Sequence, residues 1–216
     1  MSGIALALAR DGSDAFGEEL SALAGRLRQV TARVHARGRG RFSGVGAGVV
    51  WPGTGLVVTN AHVVEGVRGC WPIVDLADGR SFEARLAERD EDQDLALLVL
   101  ESFERPFDAA TLGDARTLRV GELLVAVGHP LGVASALSVG VVHATRGDDH
   151  WLRADIRLAP GNSGGPLATL DGAVVGINSM VVRGLGVAIP THRVARFVAG
   201  AVRPTDGAEA HPTTAP

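Results

Sequence analysis

Two hydrophobic rhythms divide the chain. Between residues 16 and 27 the apolar positions Phe16, Leu20, Leu23 and Leu27 recur at spacings of 4, 3 and 4, one stripe of a helix. Ser13 or Asp14 would cap it, with Glu18 and Glu19 early and Arg26 and Arg28 late, a polarity that suits the helix dipole. From Val30 the period changes to two, with Val30, Ala32, Val34 and Ala36 on one face. Short strand-like runs follow, broken by Gly, Pro and Asp: 46–51, 56–59, 73–76, 81–87, 95–100, 123–127 and 174–177. Many short strands with turn signals predict an all-β sandwich or barrel. Thr191 would cap a terminal helix through about Val198, with Val194, Phe197 and Val198 inward. From about Arg203 to Pro216 there are three prolines and almost nothing apolar, which predicts a disordered tail.

Composition narrows the picture little. The 216 residues are 46% hydrophobic and 21% charged, ordinary for a globular chain with ample core. A net charge of −3 gives no reason to expect nucleic acid or an anionic membrane as partner. The basic stretch Arg33–Arg41 is broken by glycines and reads as a solvated strand edge. The single cysteine, Cys70, excludes an internal disulfide, so the fold does not lean on an oxidising compartment. The apolar run Ile4–Ala9 lacks a basic lead and is too short for a secretory core. No stretch approaches the ~20 apolar residues of a membrane span. Cytoplasm is the expected location.

The candidate chemistry sits in Gly161-Asn162-Ser163-Gly164-Gly165. A serine in a glycine-rich turn becomes a nucleophile when a base takes its proton and a carboxylate fixes that base. His62 ends an apolar run in Thr59-Asn60-Ala61-His62-Val63-Val64, and Asp94 heads the run Leu95–Leu100. The segment also fits the G-x-S-x-G turn of α/β-hydrolases, where acid and histidine follow the serine. Only 53 residues follow Ser163, too few for the later units of such a sheet. The order histidine, acid, serine is the chymotrypsin order.

These segments resemble the trypsin-like serine proteases, specifically the HtrA/Deg branch. Leu112-Gly113-Asp114, Leu118–Glu122 and Ala126-Val127-Gly128-His129-Pro130-Leu131-Gly132 look like that branch's opening of a second barrel, and Gly176-Ile177-Asn178 and Gly186–Pro190 like its closing strands. The resemblance implies two six-stranded antiparallel β-barrels with short N- and C-terminal helices. It divides the chain into an N-terminal segment (1–29), a first barrel (30–106), a second barrel with the terminal helix (107–200) and a tail (201–216), with the seam near 107–114. HtrA/Deg proteins usually carry a PDZ domain after the protease. This sequence stops before one could begin, so PDZ-gated regulation is not expected.

The resemblance also implies roles. Ser163 is the nucleophile, His62 the general base and acid, and Asp94 the buried acid, preferred over Asp90 and Asp92 because it precedes Leu95-Ala96 as in the family. Asp90 and Asp92 are expected to be solvated. The N–H groups of Gly161 and Ser163 form the oxyanion hole. Leu158, Ala159, Asn178, Ser179 and Met180 line the primary substrate pocket, which favours a small or medium aliphatic side chain over a basic one. Asp155 lies farther off. His35, His143, His150, His192 and His211 are surface or packing residues, and His129 is structural. No cofactor or metal is expected. The expected partners are unfolded or damaged polypeptides, cleaved without ATP. The stripe on the first helix would pack on the chain's own barrel or, as in relatives, form a trimer contact. A latent protease fold serving as a peptide-binding or chaperone-like module is the alternative function.

Overall fold

The structure, a computed structural model, describes residues 2–38, 41–65, 71–101, 107–129, 136–144 and 151–202, with side chains outside 2–13 and 36–44. Cys70, His150, His211, Pro130–Gly132 and the expected tail lie outside the described residues.

Helix α1 (Ser2–Gln29) leads into β1 (Thr31–Gly38), β2 (Arg41–Trp51), β3 (Leu56–Thr59), β4 (Pro72–Asp75), β5 (Ser81–Asp90) and β6 (Leu95–Leu100). These close into a barrel in the order β1-β2-β3-β6-β5-β4. A second closed barrel follows, β7 (Leu123–Gly128), β8 (Ala136–Ala144), β9 (Leu152–Asp155), β10 (Pro166–Thr169), β11 (Val174–Val182) and β12 (Leu185–Pro190), ordered β10-β11-β12-β9-β8-β7. Helix α2 (Thr191–Ala201) ends the described chain. Every strand pair is antiparallel, which gives a chymotrypsin-like pair of six-stranded barrels.

Burial explains why several strands read as unbroken apolar runs. In β6, Ala96, Leu98 and Leu100 point into the first barrel with Val34, Val57 and Val74. Leu95 and Leu97 point the other way, into a core between the barrels with Val125, Val127, Ile177 and Ile189. A strand buried on both faces cannot alternate apolar with polar. The second barrel fills its own interior with Leu124, Leu152, Leu167 and Val175.

Both helices seal the inter-barrel core. Leu23 and Leu27 of α1 and Val194, Phe197 and Val198 of α2 are buried there. Each large aliphatic side chain so buried contributes about 1.5–3 kcal/mol. The stripe on α1 is thus used within the chain, while Phe16 at its start is 44% exposed.

Three local expectations are corrected. Helix α1 is 28 residues, not a short helix capped at Ser13 or Asp14. The Ala- and Leu-rich start has high helix propensity and carries the helix through Gly12. Strand β1, holding Arg33, is not an edge, since it pairs with β2 and β4. The Thr191 hydroxyl does not cap α2. It donates to the Gly113 carbonyl at 2.6 Å and ties the helix start to the segment between the barrels.

Candidate active site

The first barrel supplies a histidine and an acid. A short 3-10 turn, Ala61–Val64, follows β3 and buries Ala61, Val63 and Val64, which leaves His62 as its exposed residue. The turn is fixed at its entrance, where the Thr59 hydroxyl donates to Ala47 O at 2.7 Å. Asp94 is the last residue of the four-residue loop that joins the paired Asp90 and Leu95. Its φ of 54° lies in the left-handed region, which Asp tolerates better than most residues. The Asn60 side-chain amide donates to Asp94 O at 2.9 Å and holds that backbone.

The two side chains meet in a tight pair. His62 Nδ1 lies 2.9 Å from Asp94 Oδ1 and 3.0 Å from Oδ2, and the His62 main-chain N–H donates to Oδ1 at 3.2 Å. Ser179 Oγ donates to Oδ2 at 2.6 Å. The carboxylate side chain is 15% exposed and the imidazole 45%, so the pair is shielded on the acid's side and open on the base's. Burial pushes the Asp94 carboxyl up, but hydrogen bonds from His62 and Ser179 and the His62 charge outweigh it and hold it below its ordinary value. The hydrogen bond to Asp94 raises His62 above the usual histidine range against the opposing effect of burial, with help from the Asp94 and Glu65 charges. An ionised carboxylate only accepts, so Nδ1 carries the proton and the neutral imidazole presents Nε2 as acceptor.

The second barrel brings the serine. Ala159, Pro160, Gly161 and Asn162 make a turn closed by Asn162 N–H to Ala159 O at 3.0 Å. Proline second and a glycine at φ 104° third define a type II turn. Among the described residues the N–H groups of Gly161 and Ser163 have no hydrogen-bond acceptor. Ser163 is held by its own carbonyl, which accepts from Ala47 N–H across the barrel junction at 2.8 Å. Gly164, at φ 84°, lets the two barrels close: a Cβ there would strike Ala47 O and Thr59 Oγ1. The Ser163 hydroxyl donates to Ser179 O at 3.0 Å, and no hydrogen bond joins it to His62 among the described residues.

Leu158, Ala159, Asn178, Ser179 and Met180, the five residues expected in a substrate pocket, line one cavity of about 360 Å³ together with Ser163. Asp155 is exposed on β9 and does not line it. Ser179 does more than line it, because its hydroxyl serves Asp94 and its carbonyl holds Ser163. That double use, like the grip of Asn60 on Asp94, has no local sequence signal. His129 donates its main-chain N–H to Gly161 O at 3.0 Å, and burial, with the Arg33 charge, holds its ring below the ordinary histidine value. Asp92 is exposed, but Asp90 is not simply solvated: it accepts from Gln93 N–H at 2.8 Å. His35 is not merely packed either, since it pairs with Asp75 at 3.1 Å. Among the described residues no group of three or more His, Cys, Asp or Glu side chains is placed to hold a metal ion, and no helix is long and apolar enough to cross a membrane.

Two barrels with a histidine–carboxylate pair on one, and a serine in a glycine turn on the other, define the chymotrypsin-like peptidase class. The trypsin-like peptidase domain matches residues 46–177, and the chain belongs to that family. It is similar to the mitochondrial serine protease HTRA2 of Drosophila pseudoobscura pseudoobscura, 38% identical over 182 residues, which cover 79% of this chain and 42% of the relative. The putative serine protease HhoA of Synechocystis sp. is 35% identical over 164 residues, 69% of this chain and 41% of that one. The chain spans about two-fifths of the length of these curated relatives.

Proposed function

We propose that this chain is a serine endopeptidase that cleaves unfolded or damaged polypeptides through Ser163, His62 and Asp94. Ser163 Oγ attacks the scissile carbonyl carbon while His62 Nε2 takes its proton, and the carbonyl oxygen becomes an oxyanion at the Gly161 and Ser163 N–H groups. His62 then protonates the leaving amine, which departs and leaves an acyl-enzyme. Water, deprotonated by His62, attacks the acyl carbon; the bond to Ser163 Oγ breaks, His62 returns the proton to that oxygen, and the new carboxyl terminus leaves. Asp94 stabilises the imidazolium throughout. The observation that carries this reading is the His62–Asp94 pair, which leaves Nε2 as the acceptor. The apolar Leu158 side of the pocket favours Val, Ala or Leu at the residue before the cut. The HtrA-type relatives support polypeptide substrates.

One observation favours a second reading, a latent fold that binds peptides without cutting them: the Ser163 hydroxyl is bonded to the Ser179 carbonyl rather than to the base. A rotation about χ1 between staggered wells would release it. A serine-reactive fluorophosphonate probe separates the two, because covalent labelling requires an activated Ser163. The expected result is labelling of the wild type and none of Ser163→Ala, with a fall in kcat on the order of 10⁶ and an unchanged fold. Casein cleavage by Ser163→Ala at the wild-type rate would overturn the mechanism.

A further inference from the structure

Asp94 and Arg183 are the two non-glycine residues with positive φ among the described residues. Such a backbone costs roughly 1–2 kcal/mol for a residue with a side chain, and it persists where its surroundings over-determine it. The carboxylate contacts alone do not do this, since they fix the side chain, and the Asn60 amide at 2.9 Å holds the carbonyl side of the residue, not the approach to it from Gln93. The main-chain N–H of Asp94 makes a long 3.3 Å bond to Glu91 O. The preceding residue is held far more firmly. Gln93 N–H donates to Asp90 Oδ1 at 2.8 Å, its side-chain Nε2 donates to Asp90 Oδ2, and its Oε1 accepts from Arg193 Nη2 at 3.1 Å. Gln93 is gripped on its backbone and on both ends of its amide.

The third grip comes from a distant part of the chain. Arg193 stands in the first turn of α2, at the end of the second barrel. A cation there faces the positive end of the helix dipole, the end that favours anions. Beyond it the loop and the helix are separated by a cleft of about 650 Å³, lined by residues including Glu88, Asp92, Arg196 and Phe197. The Arg193–Gln93 bond joins this helix to the loop that carries Asp94. Its charged donor makes it stronger than a neutral hydrogen bond.

We propose that Arg193 is a positioning residue for catalysis, acting through Gln93 and Asp90 to fix the left-handed backbone from which Asp94 meets His62. The proposal rests on the reading of Asp94 as the catalytic acid. It makes α2 part of the active-site support and couples the end of the second barrel to the acid on the first.

The test uses the full chain with Arg193→Met, Gln93→Met, the double variant, and Arg193→Lys as the conservative replacement. Arg196→Ala, one turn along the same helix and lining the cleft, is the control. Arg193→Met is expected to lose about tenfold in kcat with little change in KM, as a small misplacement of a catalytic group does. Gln93→Met should lose as much, the double variant no more than either, and Arg193→Lys should recover most of the rate. A merely structural role would not move the base, so the second readout is the titration of His62 by NMR in a Ser163→Ala background. Among its charged neighbours are Asp94 and Glu65, and loosening Asp94 should shift the His62 midpoint downward. If Arg193→Met fails to fold by circular dichroism, Arg193→Lys and Gln93→Met carry the comparison. Wild-type kcat with an unshifted His62 midpoint, additive losses in the double variant, or an equal loss in Arg196→Ala would overturn the proposal. A wild type that neither cleaves nor takes the fluorophosphonate would refute the function instead, and the His62 titration would still decide this inference.

Discussion

Replacing Asp94 by Asn tests the site with the least disturbance elsewhere. Asn tolerates the left-handed region as Asp does, so the φ of 54° and the Asn60 bond to Asp94 O survive. What changes is the face shown to His62. The carboxylate now accepts from the His62 main-chain N–H, His62 Nδ1 and Ser179 Oγ. An amide keeps one accepting oxygen. If that oxygen stays with Ser179, the NH₂ faces Nδ1, the ring must carry its proton on Nε2, and it can no longer take the proton of Ser163. A tautomer reversed in this way costs roughly 10⁴ in kcat, about 5 kcal/mol at 1.36 kcal/mol per tenfold. The pocket residues are untouched, so KM should stay within a few-fold. Steady-state hydrolysis of a chromogenic peptide with Val before the cut measures both constants, with Asp92→Asn as the comparison because Asp92 is exposed. An Asp94→Asn enzyme with a tenth of wild-type kcat or more would refute the assignment of the acid.

Four further outcomes follow from the same geometry. His62 must be neutral to act as base and its pKa is raised, so kcat/KM should climb with pH through a midpoint above the ordinary ~6.5 of histidine; a midpoint below that value would contradict the pairing. The same pair should stabilise the fold most between about pH 3.9 and 6.5, the unfolded values. The gain fades as pH rises through the raised His62 value or falls through the lowered Asp94 value, so the Tm gap between wild type and Asp94→Asn should be widest in that window and narrow on either side. Gly164→Ala should cost about 2–5 kcal/mol in denaturant unfolding, from left-handed strain plus overpacking against Ala47 and Thr59; a loss below 0.5 kcal/mol would mean the barrels can part there at little cost. Mass-spectrometric mapping of cuts in denatured protein should find Val, Ala or Leu before most cleaved bonds, and a majority after Lys or Arg would mean that a carboxylate reaches the pocket.

Strands with strong apolar runs were legible in the sequence, and β3 and β6 have the expected limits. Strands β8, β9 and β10 are not marked by periodicity. Ala136–Ala144 is broken by Ser138 and Gly140, Leu152–Asp155 is four residues long, and Pro166 opens β10 where a proline reads as a stop. Their pairing is set by barrel closure, which no local window contains. The start of α1 departs from its sequence signal for a related reason: Ser13 and Asp14 look like caps, yet the alanines and leucines before them continue the helix. At the site, the residue types that do chemistry stand in motifs, and His62, Asp94 and Ser163 could be picked out individually. The supports could not. Asn60, Ser179 and Arg193 reach Asp94 or its neighbour from 34, 85 and 100 residues away, and such pairings become visible only once the chain is folded.

The seam between the barrels also sets when the chain can act. His62 and Asp94 leave the ribosome long before Ser163 and Ser179, and Arg193 later still. A growing chain that has completed only its first barrel holds the His62–Asp94 pair with no Ser163 and no hydroxyl on Asp94. Domains fold in order during synthesis. On the proposed mechanism, hydrolytic power therefore arrives in one step, when the second barrel closes and Gly164 seats against Ala47.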